Sequence, residues 1–256
     1  MKVVILAGGL GTRLTEETTI KPKPMIEIGG RPILWHIMKI FDHFGHNDFG
    51  IAMGYKSEVI KNYFLNYQYQ QCNLSINLKN GKVKVHESTR ENWKVYLADT
   101  GASTQTGGRI KQFAEWVGDE PFMLTYGDGV ANIDINALLQ FHKTQGKLVT
   151  ITAVRPPSRF GGLTLSENLV LNFKEKPQIG EGWINGGFFV VEPKALEYIE
   201  GDSTLWEHEP LEQLSKVGQL AAYEHDGFWQ CMDTIREVQV LENLWQTGSA
   251  PWKLWE

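Results

Sequence analysis

Cysteine is nearly missing from this sequence: Cys72 and Cys231 are the only two in 256 residues. They form no Cys-x-x-Cys pair and no disulfide framework, so a reduced, cytoplasmic setting is expected. Positive charge is not in excess either. A net charge of −5 argues against a protein whose main partner is nucleic acid or an anionic membrane surface. Long apolar runs are missing as well. The N-terminal stretch Val3 to Ala7 stops at Gly8-Gly9, too short for a signal-peptide core. No window approaches the roughly 18 apolar residues of a membrane span, and the chain reads as soluble. No internal repeat, low-complexity run or Pro/Ser linker interrupts it.

What remains is an ordinary globular composition, 42% hydrophobic and 21% charged, on a chain long enough to bury a large core. "KVVILA" has no polar alternation and reads as a fully buried strand of a parallel sheet. In residues 31–45, Ile33, Leu34, Ile37, Ile40, Phe41 and Phe44 share one helical face, with Gly45 as a stop. "DFGIAMGY" reads as a strand and "SEVIKNYFLNY" as a helix capped by Ser57. Asn80-Gly81 turns a hairpin. "WKVYLADT" is a strand, "GGRIKQFAEWVG" a helix, and "PFMLTYGDG" a strand ending in a glycine-rich corner. A helix over "INALLQFHKTQG" and a strand over "LVTITAV" follow. Such alternation predicts an α/β fold with parallel strands joined by crossovers. After about residue 155 a hairpin, a strand over "WINGGFFVVEP", helices near 193–200 and 207–217, a short strand and a last helix near 233–247 are expected. The whole reads as one domain, with a first half over residues 1–155 and a second half over 156–256 that inserts hairpins and adds C-terminal helices.

The chemistry starts where the first strand empties into "GGLGTRL". The Rossmann fingerprint needs a third glycine that is missing here, and the Walker A loop needs a Gly-Lys-Ser/Thr that is also missing. A plain tight turn is one reading. Basic residues favour another: successive glycine N–H groups can converge on phosphate oxygens. Arg13 can bind two such oxygens at once, and Lys23, held between Pro22 and Pro24, adds a fixed point charge beside Lys21. The polyphosphate would then rest on the strand end Leu6-Ala7 and the loop Gly8, Gly9, Leu10, Gly11, Thr12 and Arg13.

With "LAGGLGTRL…T…KPKP" the chain resembles the sugar-1-phosphate nucleotidyltransferases, whose usual signature is G-G-x-G-T-R-L-x-P-L-T-x-x-x-P-K-P. Glu16-Glu17 replace the usual Pro-Leu; the other positions match, and the likeness continues to about residue 234. The resemblance implies a Rossmann-like nucleotidyltransferase fold with a mainly parallel mixed sheet flanked by helices, dependence on Mg²⁺, and release of pyrophosphate. It also gives roles to residues that alone have plain readings. Asp128 in "TYGDGV" is good turn chemistry, and Asp233 in "FWQCMDT" could cap a helix; in the family, matching aspartates hold the catalytic metal. Two carboxylates suit Mg²⁺, which takes one or two protein oxygens besides substrate phosphates. Here Asp233-Thr234-Ile235-Arg236 stands in place of the usual Asp-x-Gly-Thr. The family's E-K-P and N-x-G segments match Glu175-Lys176 and Asn185-Gly186-Gly187. Lys176 would hold the sugar phosphate, and Glu175 and Asn185 the sugar hydroxyls. "RFGGL", from Arg159 to Leu163, would line the same pocket.

"DTG…TGGR", the stretch "KPKPMIEIGGRPILWHIMK" and the tail "APWKLWE" resemble the cytidylyl-transferring members acting on glucose 1-phosphate. That implies CTP and glucose 1-phosphate as substrates and CDP-glucose as product, of use in deoxysugar and surface-polysaccharide synthesis. Arg109, a donor-only fork, suits the acceptors O2 and N3 of cytosine, whereas the N3–H of uracil would oppose it. Thr104 can contact the base or ribose. The plain alternative makes Arg109 a surface residue early in a helix. Preference for UTP or dTTP, and a non-catalytic sugar-nucleotide sensor, stay open as rivals. Trp245, Trp252 and Trp255 in the C-terminal tail either cover the core or suit a subunit contact in a homo-oligomer.

Overall fold

Strand β1 (Lys2–Ala7) buries every residue after Lys2, and its alternation feeds two cores. Val3, Ile5 and Ala7 join one cluster, Val4 and Leu6 the other. A strand this apolar on both faces is stable only between two layers. The computed structural model describes residues 1–9, 11, 14, 20–86, 91–156, 162–166, 169–174 and 182–256, the segments 162–166 and 169–174 as backbone alone.

A short 3₁₀ turn at Lys23–Met25 precedes the two-residue strands β2 (Glu27–Ile28) and β3 (Arg31–Pro32), followed by helix α1 (Ile33–His43). Strand β4 (Asp48–Met53) leads to helices α2 (Ser57–Leu65) and α3 (Tyr67–Gln70) and to the hairpin of β5 (Asn73–Asn77) and β6 (Lys82–His86). Then come β7 (Lys94–Asp99), α4 (Thr106–Lys111), α5 (Ala114–Val117), β8 (Phe122–Tyr126), β9 (Gly129–Ala131), α6 (Ile135–Gln145) and β10 (Val149–Val154). The backbone of β11 (Gly162–Ser166) pairs with that of β12 (Leu169–Lys174) as a hairpin. The chain closes with β13 (Ile184–Val191), a 3₁₀ segment Pro193–Tyr198, α7 (Glu209–Lys216), β14 (Leu220–His225), β15 (Trp229–Cys231) and α8 (Ile235–Gln246).

Seven of these strands form one sheet in the order β14-β10-β13-β8-β1-β4-β7. The pairs β1/β4, β1/β8, β4/β7 and β10/β14 are parallel, and β13 runs against both neighbours. This is a mixed, mostly parallel sheet flanked by helices, as expected. Its topology places the site. The carboxyl ends of β1 and β8 lie side by side, and the reversed β13 brings its first residues to the same edge. Ligand crevices of open α/β sheets lie along that edge.

Two local expectations differ. The helix expected over 107–118 is two short ones, interrupted at Gln112-Phe113. Ser57 is the first helical residue of α2, not its cap; Lys56, at φ 52°, takes the cap position. The Ser57 hydroxyl instead donates to Asp99 Oδ2 at 2.9 Å.

Candidate active site

The turn after β1 is built around a buried arginine. Arg109 is 4% exposed. Its Nη1 donates to Met53 O at 3.0 Å, Thr100 Oγ1 at 2.5 Å and Gly101 O at 2.8 Å, and Nη2 donates to Gly8 O at 3.0 Å. One guanidinium thus ties together the ends of β1, β4 and β7. Burial pulls its pKa below the ordinary arginine value, with Asp99 and Asp202 opposing. Gly8 is required by this contact: a Cβ there would lie 2.3 Å from Arg109 Nη1. Gly9, in contrast, has open space where a Cβ would be. A cavity of about 330 Å³ opens there, bordered by Gly8, Gly9, Gly11, Thr104, Arg109 and Lys23.

At the floor of that cavity Lys23 reaches two carboxylates. Its Nζ donates to Asp128 Oδ2 at 2.6 Å and also to Asp233 Oδ1. Asp128 lies two residues past the end of β8, just before β9. Asp233 comes from the far end of the chain because β15 pairs with β9, setting Cys231 opposite Gly129, with Met232 N donating to Asp128 O at 2.9 Å. The cap of α8 is Thr234, which forms a capping box with Glu237. Asp233 is therefore not the cap, and its carboxylate turns to the cavity. Burial lowers the Lys23 pKa, and the two carboxylates outweigh it, leaving the net shift upward. Two acids converging on one cation offer hard oxygen donors of the kind a divalent ion takes.

A second cavity of about 470 Å³ lies on the other side of the two acids, bordered by Tyr126, Asp128, Asn185, Gly186, Glu207 and Asp233. Tyr126, Asp128 and Asp233 border both cavities. Asn185 is oriented by Gly187 N, which donates to its Oδ1 at 2.8 Å, so that Nδ2 donates to Tyr126 Oη at 3.3 Å. Trp229 Nε1 donates to Gly186 O at 2.7 Å.

The structure thus brings Leu6, Ala7, Gly8, Gly9, Gly11 and Lys23 to one cavity with Thr104, Arg109, Asp128 and Asp233. It sets Asn185 and Gly186 in the neighbouring one. Leu10, Thr12, Arg13, Arg159, Glu175 and Lys176 lie outside the described residues. Sequence reasoning missed Tyr126, Glu207 and Trp229. Nothing in "TLWEHEPL" distinguishes Glu207 from a solvated helix-start acid, and a 3.6-residue period carries no sign of what its segment faces. The reading of Arg109 as a surface residue does not hold, since its guanidinium is buried.

A family model described as "Nucleotidyl transferase" matches residues 2–234. The chain belongs to that family. This nucleotidyltransferase is 54% identical, over the full length of both chains, to the glucose-1-phosphate cytidylyltransferase of Salmonella typhi. It is 45% identical, again over both full lengths, to the probable glucose-1-phosphate cytidylyltransferase of Bacillus subtilis. HddC from Yersinia pseudotuberculosis shares the fold, with a TM-score of 0.71 over 95% of this chain and 99% of that one at 23% identity.

The C-terminal tryptophans of this nucleotidyltransferase cover its own core. Trp252 is 1% exposed, and Trp245 and Trp255 are half-buried. All three rings contact His36 on α1. Core cover is borne out fully for Trp252 and in part for Trp245 and Trp255. No helix among the described residues is long and apolar enough to cross a membrane.

Proposed function

We propose that this nucleotidyltransferase transfers CMP from CTP to glucose 1-phosphate, giving CDP-glucose and pyrophosphate. The observation that carries the reading is the pair of cavities sharing Tyr126, Asp128 and Asp233. Two substrates bound there would meet at the two acids. Full-length identity of 54% to a curated glucose-1-phosphate cytidylyltransferase supports the same substrates.

CTP takes the cavity over the glycine turn, its triphosphate on the backbone N–H groups from Gly8 to Arg13 and its base toward Thr104 and Arg109. Among the described residues Arg109 keeps Nε and one Nη2 hydrogen unengaged, donors that suit cytosine O2 and N3. Glucose 1-phosphate takes the second cavity, with Asn185, Gly186 and Glu175 on its hydroxyls and Lys176 on its phosphate. A phosphate oxygen of the sugar forms a bond to the α-phosphorus. The bond from that phosphorus to the bridging oxygen breaks in line, and pyrophosphate leaves with the electron pair. The attacking oxygen is already anionic, so no general base is needed. Lys23 offsets negative charge at the reacting phosphorus, and Arg13 offsets it on the leaving pyrophosphate. Asp128 and Asp233 would hold Mg²⁺, which when bound supplies Lewis-acid neutralisation of the phosphate charge.

The reading takes residues 1–256 as one domain, 1–155 mainly for the nucleotide and 156–256 mainly for the sugar. It places the reaction in the cytoplasm, with CDP-glucose passing to surface-polysaccharide synthesis. It also takes the enzyme as a homo-oligomer. The β5–β6 hairpin supports this, since Ile76, Leu78 and Val83 stand exposed on it and an isolated two-stranded hairpin is marginal in water.

The test is pyrophosphate release with CTP, UTP, dTTP, ATP and GTP against several hexose 1-phosphates, with Mg²⁺ and with chelator. CTP with glucose 1-phosphate and Mg²⁺ is expected to be fastest. Equal or faster turnover with UTP or dTTP overturns the nucleotide assignment, and tight binding without turnover favours a sensor.

A further inference from the structure

Glu207 is far in sequence from every residue given a role above, yet it stands in the wall between the two cavities. Its segment is anchored by Trp206, whose side chain is fully buried and whose backbone N–H donates to Thr106 Oγ1 at 2.9 Å. With the backbone fixed, the Glu207 carboxylate accepts two bonds, one on each oxygen. Tyr126 Oη donates to Oε1 at 2.5 Å, and Thr106 Oγ1 donates to Oε2 at 2.6 Å.

The direction of every bond in this chain is determined. Gly187 N fixes Asn185 so that its amide donates to Tyr126. Having accepted from Asn185, the Tyr126 hydroxyl gives its one hydrogen to Glu207. Burial and the neighbouring carboxylate of Glu207 push the Tyr126 pKa upward, which keeps that hydrogen in place. A carboxylate has about four acceptor sites, so two bonds leave others for a ligand in the second cavity, which Glu207 borders. Thr106 borders the first cavity, so one side chain contacts the walls of both.

We propose that Glu207 is a specificity-determining residue of the sugar cavity, accepting hydroxyls of a neutral hexose 1-phosphate and holding Tyr126 and Asn185 in position for it. The proposal rests on the function proposed above and extends it. A carboxylate at that wall accepts from neutral hydroxyls and repels a second carboxylate, so the acceptor class is neutral hexose 1-phosphates and excludes hexuronic acid 1-phosphates.

The test is Glu207→Gln in the full chain, assayed by pyrophosphate release. Gln is nearly isosteric but turns one acceptor oxygen into a donor, which opposes either the Tyr126 or the Thr106 hydroxyl. The KM for glucose 1-phosphate should rise roughly tenfold or more, the usual range for losing a bond to a charged group. The KM for CTP should stay within about twofold, with the melting temperature lowered by no more than a few degrees. The preference for glucose 1-phosphate over glucuronic acid 1-phosphate should shrink. An unchanged KM for glucose 1-phosphate overturns the proposal. So does a parallel rise of both KM values with a lower melting temperature, the mark of a merely structural residue. If Glu207→Gln does not fold, Tyr126→Phe, which removes one hydroxyl, must raise the KM for glucose 1-phosphate selectively, and an unchanged KM there overturns it. Wild-type protein inactive with CTP and glucose 1-phosphate would sink the functional reading itself, whatever the variants do, and this proposal with it.

Discussion

Lys23 Nζ lies 2.6 Å from Asp128 Oδ2, although 105 positions separate them in sequence. The same ammonium also meets Asp233, from the far end of the chain. Two carboxylates close together raise each other's energy unless a cation stands between them. The β9/β15 pairing that brings them together is therefore sustained by Lys23 in this structure, and would be sustained further by a divalent ion bound to the same oxygens.

Asp128→Ala should lower turnover by at least a hundredfold to a thousandfold, on the order of what removing one charge-stabilising group costs. The fold should persist, because Lys23 keeps Asp233 as partner and Asp128 lies outside the buried core. Pyrophosphate release and circular dichroism on the same preparation check both halves. A variant with wild-type rate would remove Asp128 from the site.

Arg109→Lys keeps the charge and loses the fork. A lysine ammonium is a point with three donors and cannot reach Gly8 O, Met53 O and Gly101 O from one position. Gly8 O and Met53 O keep donors in Tyr55 N and Thr100, so the loss falls on Gly101 O and on the tie between the strand ends, and should cost roughly 1–3 kcal/mol of stability. The KM for CTP should rise about tenfold, since the Gly8 turn loses its support. Thermal melting and CTP titration measure the two effects, and an unchanged melting temperature would show that the buried guanidinium is dispensable.

The parts of this molecule legible in the sequence are those with a local signature. Val3 to Ala7 read as a two-sided buried strand because no polar residue interrupts them, and the buried strand is what the structure has. Asn80-Gly81 fixed a hairpin by turn chemistry, and Gly81 takes φ 69° there. Illegible were features made by pairing over long distances. The three-residue strands β9 and β15 are too short for a periodicity signal, yet their register sets Asp233 beside Asp128. Tyr126 and Glu207 meet across 81 positions. What the tail tryptophans cover was illegible for the same reason, since that surface includes His36 on α1, more than 200 positions away.

Gly29→Ala should destabilise far more than Gly30→Ala. Both glycines have positive φ, 60° and 74°, so the backbone strain of a Cβ is common to the two. At Gly29 the added carbon would lie 1.9 Å from Trp245 Nε1, whereas at Gly30 nothing is within 4 Å. Overpacking of that kind costs about 1–3 kcal/mol beyond the strain. Denaturant midpoints of the two variants isolate the tryptophan contact. Equal losses would mean that the tail does not hold this turn.

His36 should make the fold sensitive to mild acid. Burial, opposed by the bond to Ile28 O and aided by the charge of Arg31, pulls its pKa down to about 4, with Glu242 pulling the other way. The geometry also demands the neutral ring: Nε2–H donates to Ile28 O at 2.8 Å, and Nδ1 accepts from Trp252 Nε1 at 3.4 Å. A proton on Nδ1 would face another N–H. The unfolded chain takes up this proton below about pH 6.5, the folded chain only near pH 4. Stability is therefore full above pH 6.5 and falls as the pH drops toward 4, by about 2 kcal/mol between pH 7 and pH 5 from this residue alone. His46, also held near 4 by burial and the N-terminal amine, adds to the same trend. His36→Gln can keep both hydrogen bonds without titrating, so its urea midpoint should fall less than that of the wild type between pH 7 and pH 5. Parallel falls in the two proteins would show that the acid sensitivity lies elsewhere.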